Sequence, residues 1–262
     1  MTRTIAIFNQ KGGVGKTTTA INLSSYLALM GKKVLLVDFD PQFNATVGAG
    51  IQDQDKTIYH SMFLDAPIQE TVSNTFINNF HIIPSSSDLA GAIIELANIE
   101  NREHHLKTTL NDIKDQYDYI LIDMAPSLSL LTINGLMAAE EVLIPIQCEP
   151  YSLEGLNQLL NTINMINHNL GHSLKITGAL LTMFKKEHDL SHRIAKDIKE
   201  EFPYYVFQTV IPRSESLAEA PGEKRPVIIY DPKSSGALSY ENLAQELIRQ
   251  EEEMKKEISD NV

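Results

Sequence analysis

Short apolar runs alternate with amphipathic segments along most of the chain. The apolar runs are rich in Val, Ile and Leu, which is typical of strands that are buried on both faces of a parallel sheet. The segments between them repeat apolar residues every three or four positions, as helices that cover such a sheet do. This alternation predicts an α/β fold with a doubly wound, mostly parallel sheet flanked by helices on both faces.

The boundaries of the predicted elements follow from the apolar runs and the residues that flank them. Strands are predicted at 4–8, 33–39, 81–83, 119–123, 141–146, 175–183 and 205–211. Helices are predicted at 16–30, 89–97, 103–115, 130–139, 153–168, 190–201 and 237–256. The pattern in 48–80 is too irregular to assign. Because no repeat, linker or change of composition divides the chain, residues 1–262 are expected to form one domain with a polar tail from about residue 250.

The connection between the first predicted strand and the first predicted helix contains three glycines: Gly12, Gly13 and Gly15. Glycine lacks a Cβ, so this connection can turn tightly and direct its backbone N–H groups, including that of Val14, toward one point. An anion at that point would also lie at the positive end of the following helix. Lys16 would place a positive charge on the β- and γ-phosphates of a nucleotide, and the Thr17 hydroxyl would bind Mg²⁺. The pattern therefore predicts a phosphate-binding loop.

This loop departs from the common phosphate-loop pattern at its beginning. The common pattern starts with a glycine, whereas this chain has Gln10 or Lys11 there, depending on the position from which one counts. The loop therefore carries an extra lysine at its front.

Two of the predicted strands end in carboxylates. Asp38 and Asp40 end one apolar run before Pro41 stops the strand, and Asp123 ends another. In doubly wound sheets, ligands bind beyond the carboxyl ends of the strands. A carboxylate there could hold Mg²⁺ directly or through water, and a second could orient the water that attacks a γ-phosphate. Each residue alone is equally explained as a cap of a turn or helix, but together with a phosphate loop they indicate nucleotide hydrolysis.

Composition indicates a soluble globular protein with one large core. Of the 262 residues, 43% are hydrophobic, and no apolar stretch reaches the roughly 18 residues of a membrane span. The first strand begins directly after Met1, so no signal peptide is expected. The single cysteine, Cys148, lies in an apolar run and is expected to be a buried thiol. These features fit a reducing cytoplasm.

The net charge of −12 argues against broad electrostatic attraction to nucleic acid or to an anionic membrane. Several of the acidic residues lie near the C-terminus: Glu251, Glu252, Glu253, Glu257 and Asp260. We expect this segment to be a solvated helix end or a frayed tail.

Six motifs, in order along nearly the whole chain, resemble those of the ParA/Soj family of partition ATPases. They are KGGVGKTT at 11–18, VDFDPQ at 37–42, IDMAPSL at 122–128, TINGL at 132–136, VIPR at 210–213 and LAEAP at 217–221. The resemblance implies a P-loop fold of the deviant Walker A type that binds ATP or ADP with Mg²⁺ and hydrolyses ATP slowly. It also implies an ATP-dependent sandwich homodimer, non-specific DNA binding by that dimer, and stimulation by a ParB-type partner. Such a protein would act in chromosome or plasmid partition, in the cytoplasm or associated with the nucleoid.

The resemblance assigns roles in phosphate binding and hydrolysis. Lys11 would reach across the dimer to the phosphates bound by the partner, which is the position of an arginine finger. Lys16 would bind the β- and γ-phosphates, and Thr18 would bind the α-phosphate. Asp40 would position the attacking water.

The resemblance also assigns the metal and base contacts. Thr17 would bind Mg²⁺ directly, Asp123 would hold the water shell of the metal, and Asp40 is a further candidate ligand. Asp38 would support these residues without touching the metal. Met183 and Pro212 match positions that line the adenine pocket in relatives, although core packing at strand ends explains them equally well.

The chain departs from the family at several positions. Relatives usually have glycine at Phe43 and a second proline at Ala125, and they have DNA-contacting arginines where Glu187 and Ser216 stand. Loss of a phosphate-contacting cation removes a released counterion from DNA binding, and Glu187 adds repulsion. The basic candidates that remain are Lys185, Lys186, Arg193, Lys196, Lys199, Arg213, Lys224, Arg225 and Lys233. DNA binding by this chain is therefore a hypothesis that needs an experiment.

Three other functions fit the sequence less well. A MinD-like membrane ATPase needs a basic amphipathic C-terminal helix, whereas 250–260 is polar and acidic, so stable membrane anchoring is not expected. An iron–sulfur reductase needs several cluster-ligating thiolates, and the chain has one cysteine. A scaffold without activity predicts loss of Lys16, Thr17 or Asp40, and all three are present. A ParA-like ATPase that positions a cargo other than DNA remains open.

Overall fold

The computed structural model describes residues 2–52 and 55–260, and within them a seven-stranded sheet forms the centre of the fold. The strands are β1 Arg3–Ile7, β2 Val34–Phe39, β3 Ser73–Asn74, β4 Phe80–Ile83, β5 Tyr119–Met124, β6 Glu141–Gln147 and β7 Lys175–Thr182. Their order across the sheet is β3-β4-β2-β5-β1-β6-β7. All neighbouring strands are parallel except β3 and β4. The predicted mostly parallel sheet is confirmed.

Helices cover both faces of this sheet. They are α1 Lys16–Leu29, α2 Asn44–Gly48, α3 Ile58–Phe63, α4 Ala92–Leu96, α5 His105–Asn111, α6 Leu130–Ala138, α7 Ser152–Asn169, α8 Asp189–Glu201, α9 Glu215–Glu219, α10 Val227–Tyr230 and α11 Ser235–Asp260. Alternate residues of β5 show the two faces: Leu121 joins the core under α1 and α11, and Ile122 joins the core under α3 to α8. The prediction of helices on both faces is confirmed.

The register of the sheet determines where the carboxylates lie. In β5, Asp123 pairs with Ile7 of β1 on one side and with Asp38 of β2 on the other. All residues of these three strands are buried, which explains their continuous apolar runs. The carboxyl ends of β1, β2 and β5 therefore lie side by side, at the end of the sheet where β1 connects to α1.

The amino ends of these strands, at the other end of the sheet, are held to β6 and to α11 by ion pairs and hydrogen bonds. Arg3 makes two hydrogen bonds to the Glu141 carboxylate, of 2.7 and 2.6 Å, and a third to the Leu247 carbonyl. Farther along α11, Glu251 is buried and accepts hydrogen bonds from Lys32, Tyr119 and Lys255. The expectation of a solvated C-terminal segment is thus wrong for Glu251.

The rest of the C-terminal segment agrees with the expected solvated helix end where the structure describes its side chains. Residues 250–260 continue α11, and Glu252 and Glu253 are exposed, as expected of a solvated helix end. The expected tail also includes Asn261 and Val262, which lie outside the described residues.

The strand predicted at 205–211 is wrong, because its ladder with β7 is interrupted. The backbone pairs with Ala179 through Tyr205 and Phe207. The next two N–H groups, of Gln208 and Thr209, instead donate to the buried carboxylate of Glu246 on α11, at 2.6 and 2.9 Å. A side chain distant in sequence therefore replaces the strand partner.

The remaining differences are in length and in short elements. The predicted helix at 103–115 is α5 flanked by 3₁₀ turns, and Ile113 leaves helical backbone geometry while remaining buried. The predicted helix at 89–97 is α4 preceded by a 3₁₀ turn. Strand β7 ends one residue early because Met183 has a left-handed φ of 50°. Helices α2, α3, α9 and α10 and strand β3 were not predicted.

The contacts of Glu251 predict a pH-dependent contribution to stability. Although burial acts in the opposite direction, hydrogen bonds from Lys255, Tyr119 and Lys32 lower the pKa of Glu251 from 4.5 to about 2. Because the folded-state pKa lies below the unfolded value, this stabilisation is present above pH 4.5 and is lost as the pH falls toward 2. We expect Glu251→Gln to lower the free energy of unfolding at pH 7 by about 1–2 kcal/mol, after allowance for solvent screening.

Urea unfolding at pH 7 and near pH 3 measures this contribution. The exposed neighbour Glu252 provides the control, and Glu252→Gln should change stability by less than about 0.5 kcal/mol. The penalty of Glu251→Gln should shrink at the lower pH. An equal penalty at both pH values would contradict the assignment.

Candidate functional site

The connection from β1 to α1 folds into a loop whose backbone conformation requires glycine. Gly13 and Gly15 have φ values of 72° and 89°, in the left-handed region that side chains with a Cβ rarely adopt. Gly15 immediately precedes α1, whose first residue is Lys16. The Thr182 hydroxyl donates to the Val14 carbonyl at 2.8 Å and ties the loop to the end of β7. The predicted loop residues therefore lie together at the N-terminus of α1.

Side chains hold the front of this loop. Asn9 donates to the Pro145 carbonyl at 2.8 Å and accepts a hydrogen bond from the backbone N–H of Lys11 at 3.0 Å. The Lys16 ammonium donates to the Lys11 carbonyl at 3.0 Å. The backbone at Lys11 is thus fixed from both sides, and its exposed side chain forms an ion pair with Glu149.

Lys16 is a buried cation beside buried carboxylates. Its exposed fraction is 7%. Burial lowers the pKa of Lys16, while the negative charges of Asp123 and Asp40 act in the opposite direction. A desolvated ammonium at the end of a phosphate-binding loop interacts more strongly with an anion than an exposed ammonium does. Lys16 can therefore bind phosphate oxygens at this position.

Asp123 is fully buried, and neither of its carboxylate oxygens has a hydrogen bond of normal geometry within the part of the chain that the structure describes. Burial and the nearby charge of Asp38 raise the pKa of Asp123 well above its usual range, whereas the Thr17 hydroxyl and Lys16 favour the charged form. An orphaned buried carboxylate is rare in proteins and calls for a ligand or ion.

These residues fit Mg²⁺. No cluster of three or more His, Cys, Asp and Glu side chains with metal-site geometry is found among the described residues. Mg²⁺ does not need such a cluster, because it keeps several waters and binds one or two protein groups together with substrate phosphates. The Thr17 hydroxyl and the Asp123 carboxylate provide such a partial set of ligands.

Asp38 and Asp40 occupy different environments although they are two residues apart. Asp38 is fully buried and accepts hydrogen bonds from the backbone N–H and the hydroxyl of Thr46, both at 2.7 Å. Burial raises the pKa of Asp38 to about 6, against these hydrogen bonds. Asp40 is 7% exposed and accepts a hydrogen bond from the backbone N–H of Gln42 at 2.9 Å. Asp38 therefore supports the loop that carries Asp40.

A cavity of about 650 Å³ opens beside the phosphate-binding loop. Its lining includes Gly15 and Thr18, and also Met183 and Pro212. The volume is in the range of small-molecule sites. The structure thus brings the two residues predicted to contact adenine next to the loop predicted to bind phosphates, and their contact with a base remains a prediction.

The predicted DNA residues do not form a uniformly basic surface. Lys185 and Arg213 lie on the rim of the cavity, together with Glu187 and Glu215. Arg225 borders a separate cavity of about 290 Å³ beside α1 and α2. Three further candidates are exposed: Lys186, Lys224 and Lys233.

Ser216 has an acidic partner. Its hydroxyl donates to the carboxylate of Asp231 at 2.8 Å. The position at which the family resemblance predicts an arginine is therefore occupied by a neutral side chain bonded to an acid.

Several contributing residues escaped the sequence analysis. Thr46 binds Asp38 and also accepts a hydrogen bond from the backbone N–H of Ser85 at 2.9 Å, which links the ends of β2 and β4. Glu149 contacts Lys11 across 138 positions of sequence. Neither contact has a local sequence signal, because each partner becomes a neighbour only through the order of the strands.

Comparisons with known proteins identify a family model and relatives that match most of the chain. A family model described as an AAA domain matches residues 2–176. The sporulation initiation inhibitor protein Soj of Bacillus subtilis is 49% identical over 249 residues, covering 94% of this chain and 98% of that protein. The chromosome partitioning protein ParA of Myxococcus xanthus is 46% identical over 251 residues, covering 95% of this chain and 89% of that protein.

A solved structure shows the same fold. The crystal structure of cobyrinic acid a,c-diamide synthase from Mycobacterium smegmatis, with bound ADP and magnesium, has a TM-score of 0.84 at 32% identity and covers 96% of each chain. With the loop, the strand-end carboxylates and the cavity in place, the relatives lead to one conclusion: this chain belongs to the ParA/Soj family of chromosome-partitioning ATPases.

Proposed function

We propose that this protein is an ATP-driven switch in chromosome or plasmid partition. The observation that carries the proposal is the buried Asp123 carboxylate, which has no hydrogen bond of normal geometry to any described residue and lies near Thr17 and Lys16 at the phosphate-binding loop. A related structure was solved with ADP and magnesium, which supports the same ligands here. ATP is the substrate, and ADP is the product.

The residues divide the work of hydrolysis. The loop backbone, Lys16 and Thr18 bind the phosphates, while Thr17 would hold Mg²⁺ directly and Asp123 would hold it through water. Mg²⁺, when bound, neutralises charge that develops on the phosphates. Asp40 lies at the end of β2 beside this region and would orient the attacking water. Because little covalent chemistry is asked of the protein, placement and charge account for most of the catalysis.

Exposed side chains around the loop support an ATP-dependent homodimer. Strands β2, β5, β1 and β6 are consecutive in the sheet, and their carboxyl-end loops present Phe43, Leu128, Lys11 and Tyr151, respectively. Leu128 and Tyr151 are 61% and 85% exposed. Phe43 adopts a left-handed φ of 45° that is costly for a residue with a side chain. Large apolar side chains that border a charged site fit a face that a second copy covers, with Lys11 reaching its phosphates.

The surface charge supports a basic partner. A net charge of −12 complements a short basic segment of a ParB-type activator. Non-specific DNA binding by the dimer is weaker here than in relatives, because Glu187 repels phosphate and Ser216 is bonded to Asp231.

The same two positions favour a second candidate function, in which the ATPase positions a cargo other than DNA. In the part of the chain that the structure describes, no helix has the length and apolar character to cross a bilayer.

Substitution of the two loop lysines, one at a time, should separate effects on ATP binding from effects on dimerisation. We expect Lys16→Ala to weaken ATP binding by about 10- to 100-fold, because it removes a charged donor from the phosphates. Lys11→Ala should leave ATP binding by the single chain within about twofold, weaken dimerisation without abolishing it and lower hydrolysis by about a thousandfold. Fluorescent-nucleotide titration, light scattering and phosphate release measure these three properties.

The exposed Lys107 on α5 provides a matched control for the loss of a positive charge. Lys107→Ala should behave as the unmodified protein in all three assays. A Lys11→Ala chain that dimerises normally with ATP would refute a role of Lys11 across the dimer.

DNA binding should be weak, ATP-dependent and sensitive to charge at the cavity rim. We expect Glu187→Gln to raise the affinity for duplex DNA by about two- to fivefold at low salt, since it removes a repulsive charge. The exposed control Glu252→Gln should have no effect, and Lys16→Ala should abolish the ATP dependence. Gel-shift titration over a range of salt concentrations measures this. If no ATP-dependent binding is seen even at low salt, DNA is excluded and the second candidate function stands.

A further inference from the structure

Lys11 and Glu149 form an ion pair within one chain. The Nζ atom lies 3.0 Å from Oε2, and both side chains are about half-exposed. Glu149 follows β6, which is the neighbour of β1 in the sheet, so the two loops are adjacent. In the single chain, the lysine proposed to act on a second chain is therefore directed to a carboxylate of its own chain.

Hydrogen bonds fix the position of the Lys11 backbone. Asn9 accepts from its N–H group, Lys16 donates to its carbonyl, and Asn9 is itself bonded to the Pro145 carbonyl. The choice between Glu149 and another anion therefore depends on the rotatable bonds of the Lys11 side chain alone. Exchange between the two positions needs no rearrangement of the loop.

Glu149 is held in place to receive this lysine. The Gln147 amide donates to its Oε1 atom at 2.6 Å, and its backbone N–H donates to the Gln147 carbonyl at 2.8 Å. The loop is closed further by the Ser152 hydroxyl, which donates to the same carbonyl at 2.6 Å. With Oε1 occupied, the other oxygen, Oε2, is left for Lys11.

We propose that Glu149 is a positioning residue that keeps Lys11 on its own chain until a second, nucleotide-loaded chain competes for it. This rests on the proposed function, in which Lys11 contacts the phosphates of the second chain. A lysine ammonium cannot stay paired with Glu149 and also reach across an interface. Each dimerisation event must therefore break two such ion pairs, one in each chain.

The physical consequence is a threshold for association. Triphosphate carries more negative charge than one carboxylate, so a loaded partner wins the lysine, whereas an empty partner offers nothing in exchange. We call the Lys11–Glu149 ion pair within one chain the latch. Because ion pairs between half-exposed side chains are weak, the latch shifts the dimer dissociation constant by about two- to fivefold. An effect of this size raises the protein concentration at which the ATP-bound dimer forms, but it does not prevent the dimer from forming.

Glu149→Gln tests the latch, because it removes the charge and keeps the shape. The variant is made in an Asp40→Ala background, in which ATP is not consumed, and the dimer dissociation constant is measured by light scattering over a protein dilution series with saturating ATP. We expect Glu149→Gln to lower this constant by about two- to fivefold. Glu154→Gln, which removes another exposed carboxylate on the same loop-helix unit, should leave it unchanged.

A second comparison separates a latch from a merely structural role. Added to Lys11→Ala, the Glu149→Gln change should give no gain, because the latched group is already absent. ATP affinity of the single chain should also stay the same. A dimer dissociation constant that rises or does not change in Glu149→Gln, or an equal gain in the Lys11→Ala chain, would overturn the proposal.

The Asp40→Ala chain without the Glu149 substitution, here the parent, separates failure of the dimer from failure of the latch. If the Asp40→Ala chain stays monomeric with bound ATP, the sandwich dimer is rejected and the latch with it. If the parent dimerises and Glu149→Gln shows no gain over Glu154→Gln, the latch alone is rejected and the proposed function stands.

Discussion

A buried carboxylate without a hydrogen bond destabilises a fold unless a proton or a cation completes it. Asp123, which has no hydrogen bond of normal geometry within residues 2–52 and 55–260, places such a group at the centre of the sheet. Its neighbours in the register are Ile7 and Asp38, so the strand order alone brings the phosphate-binding loop and the carboxylates together. Burial raises the pKa of Asp123, and Lys16 and Thr17 oppose that shift. The site is therefore electrostatically incomplete without a ligand, and a nucleotide with its metal ion is the ligand that the loop can bind.

Rigid and movable parts are separated around this carboxylate. Asp38 and Thr46 fix the loop that carries Asp40, and hydrogen bonds on both sides fix the backbone at Lys11. The Lys11 side chain, in contrast, is half-exposed and pairs with Glu149, which is also half-exposed. A nucleotide can thus change contacts at the face of the protein without disturbing the sheet below it.

The sequence predicted the sheet, its flanking helices and the loop because these have strong local signals. Buried parallel strands are continuous apolar runs, and the loop combines glycine and lysine at fixed spacing. The segment 205–211 was assigned wrongly because Glu246, on a distant helix, takes the N–H groups that a strand would use. Glu251 was expected in a solvated tail for the same reason: its partners Lys32 and Tyr119 are neighbours only in the folded chain. Thr46 and Glu149 were missed because nothing in their local sequence marks them.

The most direct test of the central claim is whether Asp123 is completed by Mg²⁺. Thermal unfolding is followed at saturating ATP, with Mg²⁺ and with a chelator, for the unmodified chain and for Asp123→Asn. The account predicts that the variant unfolds at or above the temperature of the unmodified chain without ligand, because a buried ionisable group is gone, and that it loses most of the extra stabilisation that Mg²⁺ gives. A variant that is stabilised by Mg²⁺ as much as the unmodified chain would contradict the account.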